Sequence, residues 1–414
     1  MLYDAYEMQR SMLAGASAWA NFGAGLLHNP ANPFSYFGGG PVLASALEVF
    51  AHAAAPRGKP AFGFTSTTVD GREVAITEEI VVDKPFGTLK RFRREGVEGG
   101  PKLIIVAPMS GHFATLLRGT AERMLPFADV HITDWRDAKT VPTSAGDFDL
   151  DDYIDYLVEF MEALGPGAHM LAVCQPSVPC LAAVALMSAD QHPCRPRTLT
   201  MMGGPIDTRE APTAVNTLAT QRPHAWFEQN VIATVPMTYP GAGREVYPGF
   251  LQLAGFMTMN LGNHMISHYE MFKHLVQGDD EGADATKDFY DEYRSVCDMT
   301  AEFYLQTIDV VFQTHKLPRG LMTHRGRKVD LGAITDVGIL AIEGERDDIS
   351  GLGQTKAALT LATNLPGSEK RYLMAEGVGH YGIFNGSKWR TKIAPVVEEW
   401  ISTHDAAGKV AEAA

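Results

Sequence analysis

Cys174 stands between an apolar run, His169-Met-Leu-Ala-Val173, and Gln175-Pro176, and a helical pattern begins within a few residues. A thiol at such a strand-to-helix corner feels the positive end of the helix dipole, which favours the nucleophilic thiolate. The Gln175 N–H at the same helix start points toward a developing oxyanion. Pro176 falls in the first turn, where its missing N–H costs nothing. Taken alone, Cys174 reads as readily as a buried structural cysteine. A thiolate nucleophile, however, needs a base, and the base needs an orienting acid. Those residue types follow in order: Asp347 and Asp348 after the run Val337–Ile342, then His380 after Lys370–Met374. Chemistry does not choose between the two aspartates, and a free-standing loop acid is ordinarily solvated. Three residues in this order, each just past an apolar run, are far more specific than any one of them. A second oxyanion donor is expected in the loop Pro108-Met109-Ser110-Gly111, from the amide of Met109 or Ser110.

Other candidates carry less. Cys180, Cys194 and Cys297 read as packing residues, and none of the four cysteines forms a CxxC pair. Ser110 as a nucleophile lacks the strand-to-helix corner, and His112 reads as a packing histidine. Gly377-Val-Gly379-His-Tyr-Gly382 matches GxGxxG, but no further strand follows to complete a dinucleotide-binding unit. Asp147, Asp149 and Asp151 alternate as in a calcium loop, yet Asp152 stands where that loop needs glycine, so helix capping is the better reading. HExxH and P-loop motifs are absent, and no metal or resident cofactor is expected.

The elements that must position these residues follow a pattern. The chain has 414 residues, enough for two or three domains or for one large domain with an insertion. Residues 3–27 read as a helix and 28–42 as a loop, giving an N-terminal helix and loop extension over residues 1–60. Strand character at 65–82 and 86–92 suggests an antiparallel start. Buried-strand runs then alternate with helical stretches from Leu103 to Met202, which implies a parallel sheet with right-handed crossovers. Residues 61–207 therefore form the first part of the core. Residues 208–325 break the alternation, are helical in tendency and are rich in Met and aromatics such as Trp226, Phe250, Met265 and Tyr304. They read as an inserted helical cap. Residues 326–405 resume the core, and 406–414 read as a flexible tail.

Charge narrows the partners. Lys+Arg is 35 and Asp+Glu 49, a formal charge of −14, which argues against nucleic acid as a partner. The one dense basic run, Lys90-Arg91-Phe92-Arg93-Arg94, reads as a solvated sheet edge. An uncharged, apolar partner stays compatible. Four cysteines do not make a disulfide framework, so a reducing cytoplasm is expected. Met1–Glu7 makes a poor secretory signal, and Met12–Leu27 is too short and too interrupted for a membrane span.

The corner at Cys174 resembles the nucleophile elbow of α/β-hydrolases, usually GxSxG, here Ala172-Val173-Cys174-Gln175-Pro176. The expected fold is thus α/β, an α/β-hydrolase sheet, mostly parallel with helices on both faces, interrupted by the cap. Over essentially its whole length the chain further resembles the intracellular polyhydroxybutyrate depolymerases. The likeness rests on Ala107-Pro-Met-Ser-Gly-His-Phe-Ala-Thr-Leu-Leu-Arg118, Val173-Cys-Gln-Pro-Ser-Val-Pro179, Gly344-Glu-Arg-Asp-Asp-Ile349 and Gly377-Val-Gly-His-Tyr-Gly-Ile-Phe-Asn385. Polyhydroxyalkanoate synthases are similar but carry a GxCxG-type frame, and Pro176 in place of Gly favours degradation over synthesis. The resemblance implies Cys174 as nucleophile, Asp347 as acid (on the Asp-x-Ile pattern that both groups share) and His380 as base. It implies hydrolysis of amorphous polyester at the surface of cytoplasmic storage granules, giving 3-hydroxybutyrate or oligomers. A thioester acyl-enzyme leaves coenzyme A open as an alternative acyl acceptor. A small-ester hydrolase, a synthase-like acyltransferase and a non-catalytic granule protein are the other readings. A homo-oligomer is compatible with the sequence, which does not fix the oligomeric state.

Overall fold

Leu103–Val106, His169–Val173 and Gly338–Gly344 are apolar almost throughout, without the alternation of a half-exposed strand, and all three lie buried in the middle of one sheet. The structure is a computed structural model that describes residues 2–29, 31–35, 39–259, 269, 271–275, 287 and 290–413. Met265, counted above in the cap, lies outside the described residues.

Strands β1 (Ser66–Val69), β2 (Arg72–Lys84) and β3 (Gly87–Arg94) form an antiparallel meander. Strands β4 (Lys102–Val106), β5 (Asp129–Trp135), β6 (His169–Val173) and β7 (Thr198–Met202) run parallel to one another. After β7, the strands β8 (Ala233–Thr234), β9 (Glu245–Tyr247) and β10 (Met299–Thr300) make a small antiparallel sheet, and β11 (Thr323–His324) pairs with β12 (Arg327–Lys328). The chain then returns to the large sheet as β13 (Gly338–Gly344) and β14 (Lys370–Ala375), both parallel to β7. The large sheet has nine strands in the order β1-β2-β3-β5-β4-β6-β7-β13-β14. The winding direction reverses between β4 and β6, and open α/β sheets place their sites beyond the strand ends at such a switch point.

Eight helices concern the site and its surroundings. They are α1 (Leu2–His28), α2 (Gly40–Ala54), α3 (Arg118–Met124), α4 (Leu150–Leu164), α5 (Ser177–Ala189), α6 (Ala214–Gln221), α7 (His224–Asn230) and α8 (Gly249–Met259). Helix α4 begins with a capping box: the Asp152 amide donates to Asp149 Oδ1 and the Asp149 amide to Asp152 Oδ2, each at 2.9 Å. Asp149 thus caps the helix, and Asp151 and Asp152 are its first-turn acids. Helix α5 is buried along almost its whole length, as its nearly uninterrupted apolar sequence requires.

Four expectations need correction. The N-terminal extension is not one helix and a loop but two packed helices: α2 is rich in Ala, and Pro41 sits in its first turn, where proline is tolerated. The basic run Lys90–Arg94 is not a sheet edge. Strand β3 lies between β2 and β5, and its cations meet acids from those neighbours: Arg91 with Asp129, Arg93 with Glu79, Lys90 with Glu78 and Asp134. The stretch between β7 and β13 includes a small sheet besides its helices, because β8, β9 and β10 are too short to show a period-two pattern. Residues 406–413, read above as part of a flexible tail, continue the last helix. The last helix runs Ala394–Ala413, carried by the strong helix formers Ala406, Ala407, Ala411 and Ala413.

Candidate active site

The loops after β4, β6, β7, β13 and β14 converge at the carboxyl ends of those strands. Cys174 ends β6 with φ of 67°, in the left-handed region that a side chain enters at a cost of roughly 1–3 kcal/mol. Its amide donates to Met202 O at 2.7 Å, and its carbonyl accepts from the Ser177 amide at 3.0 Å as α5 begins. The thiol is thereby held at the helix start, half-buried, facing the positive end of the dipole. Such strain at a corner is the hallmark of a pre-positioned nucleophile.

His380 is buried in the loop after β14, and its Nδ1 lies 2.8 Å from Asp347 Oδ2. Asp347 Oδ1 accepts from the amides of Ile349 at 2.9 Å and Ser350 at 2.8 Å. Both oxygens of this fully buried carboxylate are therefore committed, while Asp348 is exposed to solvent. The structure brings Asp347 and not Asp348 against the imidazole. Burial alone would pull the His380 pKa down. The Cys174 thiolate, as charge and hydrogen-bond partner, and the Asp347 carboxylate outweigh it, and the pKa is pushed up to about 10. His380 thus meets Asp347 on one side and, with Cys174, borders the cavity on the other.

The other predicted residues are placed as follows. The Met109 amide donates to the Gln175 side-chain Oε1 at 3.0 Å, so the Gln175 carboxamide occupies that donor in this state. Ser110 and Gln175 both border the cavity beside Cys174. His112 is buried with its ring 3.0 Å from Tyr293 O, and burial pushes its pKa down to about 4, as suits a neutral packing histidine. Cys180 and Cys297 are buried, and burial raises both thiols well above the ordinary range. Among the described residues no cluster of His, Cys, Asp and Glu could hold a metal ion.

The cavity that Cys174 and His380 open into has a volume of about 700 Å³. Its walls are chiefly apolar, with Leu116, Val215, Leu218, Phe227, Ile308 and Phe312 among them. Such a space accepts an acyl chain without asking for charge.

Sequence reasoning missed two supports. Gly203 and Gly204 follow β7 directly behind the imidazole. A Cβ on Gly203 would come within 3.1 Å of His380 Cε1 and 3.2 Å of Asp347 Oδ2, and Gly203 has φ of 61°. A Cβ on Gly204 would overlap Ser177 Oγ at 2.1 Å. Nothing in the sequence around Gly203 and Gly204 points to His380 or Asp347. The second support is Glu343, a buried carboxylate on β13. It accepts from the amides of Gly353, Thr355 and Lys356 and from the Tyr372 hydroxyl, all at 2.8–3.0 Å. This closes the loop that carries Asp347 into a rigid hoop.

A search of curated proteins finds no match to the chain. Among solved structures, the monoacylglycerol lipase of Paleococcus ferrophilus is similar at 11% identity and a TM-score of 0.42, over 74% of this chain and 96% of that one. An esterase from Thermogutta terrifontis gives 12% and 0.41 over 83% and 98%, and the naproxen esterase of Bacillus subtilis 12% and 0.40 over 79% and 92%. The family model described as PHB de-polymerase C-terminus matches residues 203–405, the stretch that contributes Gly203, Asp347 and His380. That match covers just under half of the chain, so its C-terminal part, from the end of β7 to the last helix, is similar to the C-terminal region of PHB depolymerases.

Proposed function

We propose that this protein is an intracellular polyhydroxybutyrate depolymerase that cleaves amorphous storage polyester through Cys174, His380 and Asp347. The observation that carries the reading is the His380 imidazole, bonded to the Asp347 carboxylate and opening together with Cys174 into one apolar cavity. In the attacking pair the proton sits on His380 and the negative charge on Sγ. The thiolate attacks the ester carbonyl carbon, a C–S bond forms, and the carbonyl electron pair moves onto oxygen. The Gln175 amide receives that oxyanion at the start of α5. The second donor is Met109, once the Gln175 carboxamide has swung aside, or Ser110. Collapse breaks the C–O bond, and the His380 proton goes to the departing alkoxide. His380, now neutral, takes a proton from water as the water oxygen attacks the thioester. The C–S bond breaks, releasing the carboxylic acid and restoring thiolate and imidazolium. Asp347 keeps the ring oriented throughout and stays ionised.

The wall of aliphatic and aromatic side chains suits a substrate whose repeating unit is uncharged, and no step asks for a metal or a redox group. Cytoplasmic granules are the setting that this reading implies. Among the described residues no helix is long and apolar enough to cross a membrane. The decisive experiment gives native amorphous polyhydroxybutyrate granules to the wild-type protein and to Cys174→Ala, with and without coenzyme A, and identifies the products. Release of 3-hydroxybutyrate or its oligomers by the wild type, reduced by at least about a thousandfold in the variant, is expected. Full activity in Cys174→Ala would sink the assignment, and acyl-coenzyme A as the main product would replace water by the thiol as acceptor.

A further inference from the structure

Helix α1 is built inside out. Its face toward the body carries Tyr3, Ser17, Ala20 and Ala24, all buried, and apart from Tyr3 these side chains are small. Its outward face carries Met8, Met12, Trp19, Phe22 and Leu26, spaced by four, seven, three and four residues, so that they form one stripe. Met12 is 72% exposed, Trp19 76% and Phe22 60%. A helix serving only its own fold turns its large apolar side chains inward. Helix α2, packed beside α1, adds exposed Val42, Leu43 and Phe50, and Phe34 between the two helices is exposed as well. Residues 11–47 contain no Asp, Glu, Lys or Arg, in a chain that is 20% charged.

We propose that this outward face of the α1–α2 hairpin is the surface by which the protein docks onto the amorphous polyester granule. The inference rests on the function proposed above and names its missing contact. Three observations select a neutral polymer as occupant. The face has no cation to recruit an anionic lipid surface, and the net charge of −14 repels one. Its large, charge-free apolar area matches a partner that offers neither charge nor N–H donors. Its position also joins it to the site. Tyr6 of α1 stacks on Phe250 of α8 at 3.9 Å between ring centroids, and Gln252, Ala254, Gly255 and Thr258 of the same α8 line the cavity that holds Cys174. Tyr3 fastens the start of α1 by donating to Asp298 Oδ2 at 2.5 Å, and the other oxygen of that carboxylate receives the Gly249 amide that opens α8. The hairpin that carries the face thus packs, through the start of α1, against the helix that walls the cavity. A second copy of the chain would cover the face equally well but would have no reason to sit beside the cavity.

The test measures co-sedimentation with native amorphous granules in a Cys174→Ala background, where nothing is degraded. Met12→Ser/Trp19→Ser/Phe22→Ser and the milder Trp19→Ser are compared with the parent, and each substitution is also placed in active enzyme and assayed on a soluble ester, p-nitrophenyl butyrate. Granule binding is expected to weaken by about tenfold in the single variant and by more in the triple, with soluble-ester turnover and circular dichroism unchanged. Unaltered granule binding by both variants overturns the proposal. So does a wild-type dimer that the triple variant converts to monomer without loss of granule binding, which would make the face a subunit interface. Equal binding to vesicles of phosphatidylcholine removes the polyester as its specific partner. Wild-type protein that binds granules but releases no product would instead defeat the proposed function and leave the docking face standing.

Discussion

At the scale of single residues, the site turns on what His380 faces. Its pKa is set by three influences: burial, which disfavours the imidazolium, and the Cys174 thiolate and Asp347 carboxylate, which together raise it to about 10. A histidine whose pKa rises on folding stabilises the protein fully below its ordinary 6.5 and loses that contribution as pH climbs through about 10. Cys174→Ala removes one anion and leaves the burial, so the His380 midpoint is expected to drop by about a unit or more, and stability should depend less on pH between those limits. Imidazole resonances followed by NMR across a pH series check this, and an unchanged midpoint would mean that the thiol does not charge-pair with the ring. Residue types and order singled out Cys174 and His380 in the sequence. The choice of Asp347 over Asp348 came there only from a shared pattern. In space it follows from hydrogen bonds, because only Asp347 turns inward to meet the Ile349 and Ser350 amides. Gly203 was unreadable for a related reason: its nearest neighbours are His380 and Asp347, more than a hundred residues away along the chain.

At the scale of elements, apolar runs showed themselves plainly, and the strands that carry the site coincide with Leu103–Val106, His169–Val173, Thr198–Met202 and Gly338–Gly344. Pieces whose form depends on partners did not show. Helix α2 carries no Asp, Glu, Lys or Arg over its first two turns, residues 40–47, and lies along α1. The strands β8–β10 exist only because they pair with one another across the chain. Glu343 belongs to the same group. In sequence it ends an apolar strand, whereas in space it is the anchor of the Asp347 loop. Replacing it by Ala strands three amides and a hydroxyl in the interior, at an expected cost of roughly 3 kcal/mol or more. Glu343→Gln, which still offers an acceptor, should cost less. Thermal unfolding reads the stability, and kcat on a soluble ester reads whether Asp347 still holds His380. If Glu343→Ala unfolds like the wild type with full kcat, the loop is fixed by something else.

At the scale of the whole molecule, the family match and the folding unit do not coincide. Residues 203–405 supply Asp347 and His380 but not Cys174, and they lack β7, against which β13 pairs from Gly338↔Thr198 to Ile342↔Met202. In isolation that stretch would retain only β13 and β14 of the large sheet. Strand β13 is buried at every position, so cutting away β7 bares an apolar edge with unpaired amides and carbonyls. Two parallel strands with an exposed core face do not hold a fold in water. The segment 203–405 expressed alone is therefore expected to show no cooperative thermal transition and to aggregate, whereas co-expression with residues 1–202 should restore both a transition and ester turnover. Cooperative unfolding of the isolated segment would show that the insertion between β7 and β13 supplies a core of its own. The expected result reflects how the site is made: Cys174 comes from one half of the sheet, Asp347 and His380 from the other, and the pairing of β7 with β13 joins the two halves.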